Sequence, residues 1–356
     1  MMRIVVHVIA GLLHVLLTGA LLLAVVSSFV PASALPVPVW FGLLFEWLVG
    51  AQLLLLIYWL LTSHRKWCWL SVAAIACAVV PLVDTVSHAA LFFPKKELPH
   101  AFTLMSYNTC RMGEVRKPAQ NRVIQYILRS EPDVVCLQEV EVSKSDEHLT
   151  LPELKKALAI YPYTYFDFKI YNSRRQYGNA VFSKYPLIGK HTLRYESRGN
   201  ITSVCDIVLP TDTIRLYTNH LESNRLQRED LPASVSYGQT QTALTNTTSK
   251  LEKASVVRNR QANIIHEDAQ RSPYPVLIVG DMNTTPVSYT YRQLRRGMRD
   301  AFLESSNGRL GHTYELHGIG VRIDYILHSR ELSADGFDIP HVDYSDHYPI
   351  LTRIHY

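Results

Sequence analysis

Hydrophobic residues form three long uninterrupted runs at the beginning of the chain and short, spaced clusters afterwards. The runs cover residues 4–30, 37–61 and 67–93. Each exceeds the roughly 20 residues that a helix needs to cross about 30 Å of hydrocarbon. The first run is too long for the apolar part of a cleaved signal peptide, and two more follow it. The pattern therefore predicts a membrane anchor of three transmembrane helices in residues 1–94. One domain that is large enough to bury a full core follows in residues 95–356.

Positive charges around the runs predict an orientation in the membrane. Arg3 precedes the first run, and Arg65 and Lys66 lie between the second and the third. Because basic segments next to a span stay in the cytoplasm, these residues share the cytoplasmic side. An odd number of spans then places the domain outside the cytoplasm, in a multi-pass protein of the cell membrane. Lys95 and Lys96, directly after the third run, argue against this orientation.

Some ionisable side chains lie within the apolar runs, where they need partners. They are Glu46, Asp84, His7, His14 and His88. Asp84 and His88 are four residues apart, so on a helix they share a face and could pair. Contacts that hold helices together are the more common use of such residues, and a transport role is the alternative.

From Ala101 onwards the pattern is that of short buried strands separated by turns and amphipathic helices. Strands are predicted at residues 101–108, 132–140, 163–168, 178–183, 203–209, 213–220, 276–281 and 322–327, and residues 343–350 close the domain. Helical spacing predicts helices at residues 122–129, 151–158 and 253–268. This mixture predicts an α/β domain of two packed sheets with helices outside. The polar stretch at residues 224–252 is predicted as a long, partly helical loop; a surface loop is the simplest interpretation, and a substrate lid or a contact with the bilayer is the alternative.

Charge is distributed very unevenly. Of 36 basic and 31 acidic residues, residues 1–94 contain only Arg3, Arg65, Lys66, Glu46 and Asp84. The remainder is only mildly basic, which does not indicate a strong nucleic-acid surface. Three of the five cysteines lie in the domain without metal-ligand spacing, and a disulfide between two of them stays possible.

Polar residues repeatedly follow or interrupt the predicted strands. They are Asn108, Glu139, His220, Asp281, Asn283, Asp324, Asp346 and His347. Each alone is more often structural, but buried charge without a partner costs several kcal/mol, so eight such residues indicate a shared purpose. Carboxylates gathered at one rim of a sheet favour a divalent cation. Oxygen ligands, without a cysteine set or a zinc-type histidine motif, favour Mg²⁺ or Mn²⁺.

The domain resembles the endonuclease/exonuclease/phosphatase superfamily of metal-dependent phosphoesterases. The matching motifs, in the family's order, are Ser106-Tyr107-Asn108, Leu137-Gln138-Glu139-Val140, Gly178-Asn179-Ala180-Val181-Phe182-Ser183-Lys184, Thr218-Asn219-His220-Leu221, Gly280-Asp281-Met282-Asn283, Arg322-Ile323-Asp324-Tyr325 and Ser345-Asp346-His347. The resemblance implies a four-layer α/β sandwich whose active site lies where strand ends of both sheets meet. Three spans before such a domain resemble a membrane-anchored bacterial branch of the family.

The resemblance also implies a metal site and a base. Glu139 would be the principal metal ligand, assisted by Asn108 and Asp346. Asp281 would orient or deprotonate the attacking water. His347 would contact a phosphate oxygen or act as the general base, and accounts of the family differ on which of these two residues takes the proton.

The remaining roles concern the substrate. Asp324 would fix the tautomer of His347, and His220 would assist the leaving group as a general acid. Asn179, Asn283 and His347 would bind the substrate. Met282 stands where the family often has an aromatic residue, which changes packing more than chemistry.

Tethering to a membrane favours a lipid substrate over the alternatives. An anchored domain meets lipid head groups at high effective concentration, so the predicted substrate is a phosphoester of a lipid or cell-envelope intermediate. An extracytoplasmic metal-dependent endonuclease or exonuclease and a non-catalytic binding module are the alternatives. Arg292, Arg295, Arg296 and Arg299 would share one face of a helix, which could hold an anionic group or could be a solvated face.

Overall fold

The computed structural model forms two compact units that are each discontinuous in sequence. It describes residues 2–87, 98–112, 118–144, 149–171, 174–195, 197, 199–225, 240–306, 309–316 and 318–356. The first unit contains Met1–Thr85, Asn224–Asn259 and Thr284–Arg292, and the second contains Val86–Ser223, Arg260–Asn283 and Gln293–Tyr356. The predicted boundary at residues 94 and 95, the end of the third apolar run, His88, Lys95 and Lys96 lie outside the described residues.

The N-terminal part of the first unit is helical, and its sequence is almost continuously apolar. Its N-terminal helices are α1 (Met2–Ser27), α2 (Pro38–Leu43), α3 (Phe45–Leu60), α4 (Cys68–Cys77) and α5 (Val79–Thr85). Side chains from α1, α3 and α4 share a buried apolar cluster that includes Leu21, Phe45 and Ala74. A residue from much later in the chain, Val287, belongs to the same cluster.

The prediction of three uninterrupted transmembrane helices is wrong. Among the described residues, one helix, Ile4–Ser27, is long and apolar enough to cross a membrane. The second run is divided at Leu44, which leaves α3 with 16 residues. The third run bends by 57° between Arg65–Cys77 and Val79–Thr85 and could count as one broken span. Pro81 explains the bend, because proline lacks an N–H and its ring clashes with the carbonyl four residues earlier, here that of Cys77.

Polar residues inside the helical unit bind one another. The imidazole of His14 accepts a hydrogen bond from Trp59 Nε1 at 2.9 Å and lies 3.2 Å from Gln52 Oε1 and 2.9 Å from Ser71 Oγ. These four residues come from α1, α3 and α4 and are buried. The network thus holds three helices together. The predicted partner of Asp84, His88, is outside the described residues, and Asp84 Oδ2 lies 4.0 Å from Arg292 Nη1.

The second unit consists of two six-stranded sheets, a two-stranded hairpin and flanking helices. The strands are β1 (Ala101–Asn108), β2 (Val134–Ser143), β3 (Tyr163–Tyr171), β4 (Arg175–Ser183), β5 (Leu187–Leu193), β6 (Ile201–Val208), β7 (Thr213–His220), β8 (Val276–Asp281), β9 (Met298–Asp300), β10 (Tyr314–Leu316), β11 (Ile319–Val321), β12 (Asp324–Ser329), β13 (Ser333–Asp338) and β14 (Ile350–His355). One sheet has the order β13-β14-β1-β2-β4-β3 and the other β5-β6-β7-β8-β12-β9; β10 pairs with β11. Both large sheets contain parallel and antiparallel pairs.

Alternating side chains of the strands fill two different layers of the core. Along β1, Phe102 and Leu104 lie in the cluster shared with the other sheet, whereas Met105 and Tyr107 lie in the cluster beneath the outer helices. This period of two is what a strand buried on both faces requires. The outer helices are α6 (Arg122–Ser130), α7 (Leu151–Ala157) and α10 (Ala301–Ser305). The prediction of two packed mixed sheets flanked by helices is confirmed.

The polar stretch predicted as a partly helical loop is helical from residue 240 onwards, where one 30-residue helix, α8 (Thr240–Ala269), includes it, with Thr247 and Leu251 buried. The prediction for the four arginines is wrong. They do not share a helix face, since α9 (Tyr289–Arg295) ends before Arg296 and Arg299 lies in β9. Residues 343–349 form a loop that leads into β14. All five cysteines are free thiols.

Candidate active site

Three neighbouring strands carry His220, Asp281 and Asp324 side by side. The parallel pair β7 and β8 aligns His220 with Asp281, and the antiparallel pair β8 and β12 aligns Asp281 with Asp324. Gly280 precedes the central carboxylate with φ at +125°, and a Cβ there would collide with the carbonyl oxygen of Asn219. Glycine is therefore required for the strands to approach this closely. The row is buried and ends at the rim of the second sheet.

The first sheet contributes Asn108 from the end of β1. Its Nδ2 donates to Asp281 Oδ2 at 2.9 Å, and lies 3.4 Å from Glu139 Oε1 and 3.5 Å from His347 Nε2. Ser345 Oγ donates to the Asn108 carbonyl at 2.7 Å. One carboxamide thus connects the ends of the two sheets with the loop that contains His347.

Glu139 lies inside β2, not at its end as predicted, and a β-bulge aims its side chain. The pairing of β2 with β4 shifts between Leu137 and Val140, so Gln138 and Glu139 together oppose Asn179. Glu139 has φ at +56°, in the left-handed region that non-glycine residues seldom occupy. A bulge re-aims side chains in this way near functional sites. It brings the Glu139 carboxylate to 3.5 Å from His220 Nε2.

His347 is held between two carboxylates. Its Nδ1 lies 2.9 Å from Asp324 Oδ2 and its Nε2 lies 3.7 Å from Asp281 Oδ2. Burial opposes protonation of the ring, but the attraction of Asp324 and Asp281 outweighs it and raises the pKa of His347. His347 is therefore expected to be in the imidazolium form at neutral pH when no ligand or ion is bound.

Asp281 is fixed by its immediate neighbours in the chain. Burial raises the pKa of its carboxyl, and the charge of His347 opposes that rise. The Asn283 backbone N–H donates to Asp281 Oδ1 at 2.8 Å, and Asn283 Nδ2 donates to Asp281 Oδ2 at 3.1 Å and to the Leu221 carbonyl at 3.0 Å. Asn283 itself has φ at +51°. The Gly-Asp-x-Asn motif thus forms a tight turn that orients its own carboxylate.

His220 is buried beside these carboxylates with a free ring nitrogen. Its Nε2 lies 3.9 Å from Asp281 Oδ2 and has no hydrogen-bond partner among the described residues. A buried polar atom without a partner is unusual, because leaving it unpaired costs about 1–3 kcal/mol. The geometry leaves this nitrogen available to a bound group.

Asn179 and Asp346, which the sequence predicts as site residues, lie at the margin of the site. Asn179 Nδ2 donates to the Ile201 and Thr218 carbonyls, at 3.3 and 2.9 Å, so Asn179 ties the two sheets together. Its Oδ1 is buried without a partner among the described residues. Asp346 is exposed, and its carboxylate helps to raise the pKa of His347.

The structure adds residues that the sequence did not reveal. The Tyr314 ring lies 4.8 Å from the His347 ring, and a bridge pairs the two backbones. Burial, and next Asp346 and Asp281, raise the pKa of Tyr314. A sequence signal for the Tyr314 hairpin does exist: Gly318 forms the turn between the two short strands β10 and β11. A left-handed run at Cys110, Arg111 and Met112 also begins two residues after Asn108.

The donor atoms fit a divalent cation. Asp281, Asp324 and His347 place possible ligand atoms within 4.8 Å of one another. Asp324 and His347 already bind each other, and Glu139, beside Asn108 and His220, is the next carboxylate of the site. Oxygen-rich donors of this kind suit hard cations.

A sequence profile described as the endonuclease/exonuclease/phosphatase family matches residues 105–347. A second profile, described as a domain of unknown function (DUF8431), matches residues 7–85. No curated protein matches the chain.

Solved structures share the fold at low sequence identity. An endonuclease/exonuclease/phosphatase from Beutenbergia cavernae is 17% identical, with a TM-score of 0.52 over 72% of this chain and 71% of that one. A family protein from Leptotrichia buccalis is 15% identical, with a TM-score of 0.50 over 72% and 100%. D. rerio TDP2, in complex with a single-strand DNA product, is 15% identical, with a TM-score of 0.51 over 72% and 99%. These likenesses concern the fold alone.

Proposed function

The chain belongs to the endonuclease/exonuclease/phosphatase family, whose members are metal-dependent phosphoric ester hydrolases, and from this premise we propose that it cleaves a phosphoester of a lipid or cell-envelope intermediate. We further propose that Mg²⁺ is the cofactor and that the enzyme works at a membrane. The constellation around Asp281 supports hydrolysis, and the apolar helices support the location.

The residues have complementary tasks in the proposed reaction. Asp281, a buried carboxyl with a raised pKa, accepts the proton of the attacking water, while Asn283 holds the carboxylate in place. His347, cationic between its two carboxylates, contacts a non-bridging phosphate oxygen, with Asp324 fixing its ring. Of the two alternatives for the proton, this arrangement favours Asp281 as the base.

His220 protonates the departing oxygen through its free Nε2. Glu139, with Asn108 and Asp346, would hold the cation. When bound, a divalent cation neutralises charge on the phosphate and lowers the pKa of coordinated water. Asn179 and Asn283 complete the proposed substrate contacts.

The exposed side chains of the helical unit carry the membrane proposal. Leu16, Leu54 and Leu61 are 71%, 69% and 83% exposed, and Trp69 is 75% exposed. A soluble protein buries such residues, since large contiguous apolar surface marks an interaction site. The N-terminal helix is mostly exposed and has a mean hydropathy of 2.5, which suits a lipid environment. We propose a cell-membrane location with the catalytic domain outside the cytoplasm.

A nuclease is the second candidate, because a structural neighbour is seen with a single-strand DNA product. Against it, the chain carries a net charge of only +5, which gives little of the electrostatic attraction that drives nucleic-acid binding.

The test is the full-length chain in lipid nanodiscs, with Mg²⁺ or EDTA, against phospholipids, prenyl pyrophosphates, and single- and double-stranded DNA. We expect Mg²⁺-dependent release of phosphate or a phosphorylated head group from a lipid, and none from Glu139→Gln. Faster cleavage of DNA than of any lipid would replace the proposal with the nuclease.

A further inference from the structure

We propose that the apolar helices position the catalytic turn, and do so through the nine-residue segment Thr284–Arg292. This segment begins directly after Asn283 and belongs to the helical unit. The inference rests on the proposed roles of Asp281 and Asn283. It makes the helices a positioning part of the enzyme in addition to an anchor.

The middle of the segment is buried among the helices. Val287 is 3% exposed and lies in the apolar cluster of Leu21, Phe45 and Leu48. Its carbonyl lies 2.9 Å from Ser27 Oγ, at the end of α1, and shares the proton of that hydroxyl with the Ala24 carbonyl at 2.7 Å. A valine and a backbone carbonyl from the catalytic half of the sequence are therefore components of the helical core.

The second half of the segment contacts α8 and the loop that follows α1. Thr290 Oγ1 accepts a hydrogen bond from Asn259 Nδ2 at 2.9 Å, and Asn259 Oδ1 accepts one from the Ala32 N–H at 2.7 Å. The Arg292 guanidinium lies 4.2 Å from the centre of the Phe29 ring. These contacts hold the segment at several further points, on α8 and on the loop that follows α1.

A short segment of restricted flexibility connects Val287 with the turn that contains Asp281 and Asn283. Only residues 284–286 lie between Asn283 and Val287, and Pro286 has a fixed φ. Asn283 in turn orients the Asp281 carboxylate through two hydrogen bonds. A shift of Val287 by about 1 Å would therefore reach Asp281, and a displacement of that size can reduce turnover roughly 100-fold.

Gly42 provides a specific way to disturb this contact. A Cβ at Gly42 would lie 2.6 Å from the Val287 carbonyl oxygen and 2.7 Å from Ser27 Oγ, whereas a Cβ at Gly50 in α3 would meet nothing within 4 Å. Gly42→Ala and Gly50→Ala make the same chemical change in helices of one unit. Both should gain similar helix propensity. Only the first pushes on the segment.

The experiment compares the two variants, as full-length protein in nanodiscs, by two readouts. The first is hydrogen exchange of the peptide containing residues 281–287, which needs no substrate. The second is kcat and KM on whichever phosphoester the wild type cleaves. For Gly42→Ala we expect about tenfold faster exchange and a kcat at least about tenfold lower with KM little changed. For Gly50→Ala both should stay within about twofold of wild type.

Other outcomes contradict either the inference or the proposed function, and the two cases can be told apart. Equal behaviour of the two variants overturns the inference, as does faster exchange in Gly42→Ala with wild-type kcat. If wild type cleaves no phosphoester, the proposed function fails, while the exchange contrast still decides whether the helices hold the turn. Should Gly42→Ala not fold, Ser27→Ala against Thr62→Ala, each removing one hydroxyl that donates to a backbone carbonyl, decides by the same readouts.

Discussion

The carboxamide of Asn108 donates a hydrogen bond to the Asp281 carboxylate across 2.9 Å, from the end of β1 in one sheet to the end of β8 in the other. The two residues are 173 positions apart. The same nitrogen lies within 3.5 Å of Glu139 and of His347. Asn108 is therefore the point at which the two sheets share one site, and the predictions below test the groups around it.

Replacing Glu139 by glutamine should abolish turnover at ordinary Mg²⁺ concentrations, because the substitution removes the charge that attracts the cation without changing side-chain shape. A loss of about 10³-fold or more is expected for a group that holds a catalytic cation. Turnover is measured over a Mg²⁺ titration. Glu141→Gln, two residues along the same strand and paired with Arg175, is the matched control and should stay active. Normal rates in Glu139→Gln would remove Glu139 from the metal site.

Replacing His220 by alanine should slow substrates with poor leaving groups most. A general acid contributes roughly 10²–10⁴-fold when the departing oxygen needs a proton. An aryl phosphate with an activated leaving group needs no such help, so its rate should change much less. The measurement is the ratio of kcat values for the two substrates. An equal loss on both would argue against the acid role.

Replacing Asp324 by asparagine should lower kcat about 10²-fold with a smaller effect on KM, because the His347 ring loses the carboxylate that fixes its orientation. Asp335→Asn, which removes a half-buried ion-pair partner of His355 outside the site, is the control. The metal requirement should be unchanged. An Asp324→Asn enzyme that loses Mg²⁺ affinity instead would make Asp324 a ligand.

Acid should destabilise the fold through Glu304. This buried carboxylate binds His328 Nε2 at 2.7 Å and Arg299 Nη1 at 2.8 Å, and these partners outweigh burial and lower its pKa. A carboxyl whose pKa is lower in the folded state stabilises above its unfolded pKa of about 4.5, and this stabilisation is lost as the pH falls through the folded value. The thermal unfolding midpoint of the wild type should therefore fall steeply below about pH 4.5.

Glu304→Gln provides the comparison. It should be less stable at pH 7, by about 3–5 kcal/mol for one partner removed from a buried pair, and less sensitive to acid below pH 4.5. Glu315→Gln, a change at an exposed position, should have the same stability and the same pH dependence of unfolding as the wild type. Parallel pH profiles for Glu304→Gln and wild type would show that other carboxyls cause the acid transition.

Local sequence signals indicated which residues lie side by side wherever a strand delivers a residue directly. Asp281 follows four apolar residues, and His220 ends β7, so strand register alone aligns them. The aim of Glu139 was not predictable, because a bulge depends on how β2 pairs with a strand about 40 positions away. The contact of Tyr314 with His347 likewise depends on tertiary structure.

The N-terminal apolar helices show a different limit of sequence analysis. Hydropathy measures how apolar a stretch is but does not detect where a helix breaks, as it does before Pro81. Composition made residues 240–252 look like a partly helical loop, although burial of Leu251 within the unit overrides weak helix propensity. The roles of the site residues themselves stay predictions until the variants above are measured.

The contact between Ser27 and Val287 also constrains how this protein is made. The two residues are 260 positions apart, and ribosomes add about 5–20 residues per second. The first helices therefore leave the ribosome roughly 13 to 50 s before the valine that completes their interior exists. During this interval the apolar cluster of the nascent helices lacks Val287, so it is complete only after the segment up to residue 292 has been synthesised.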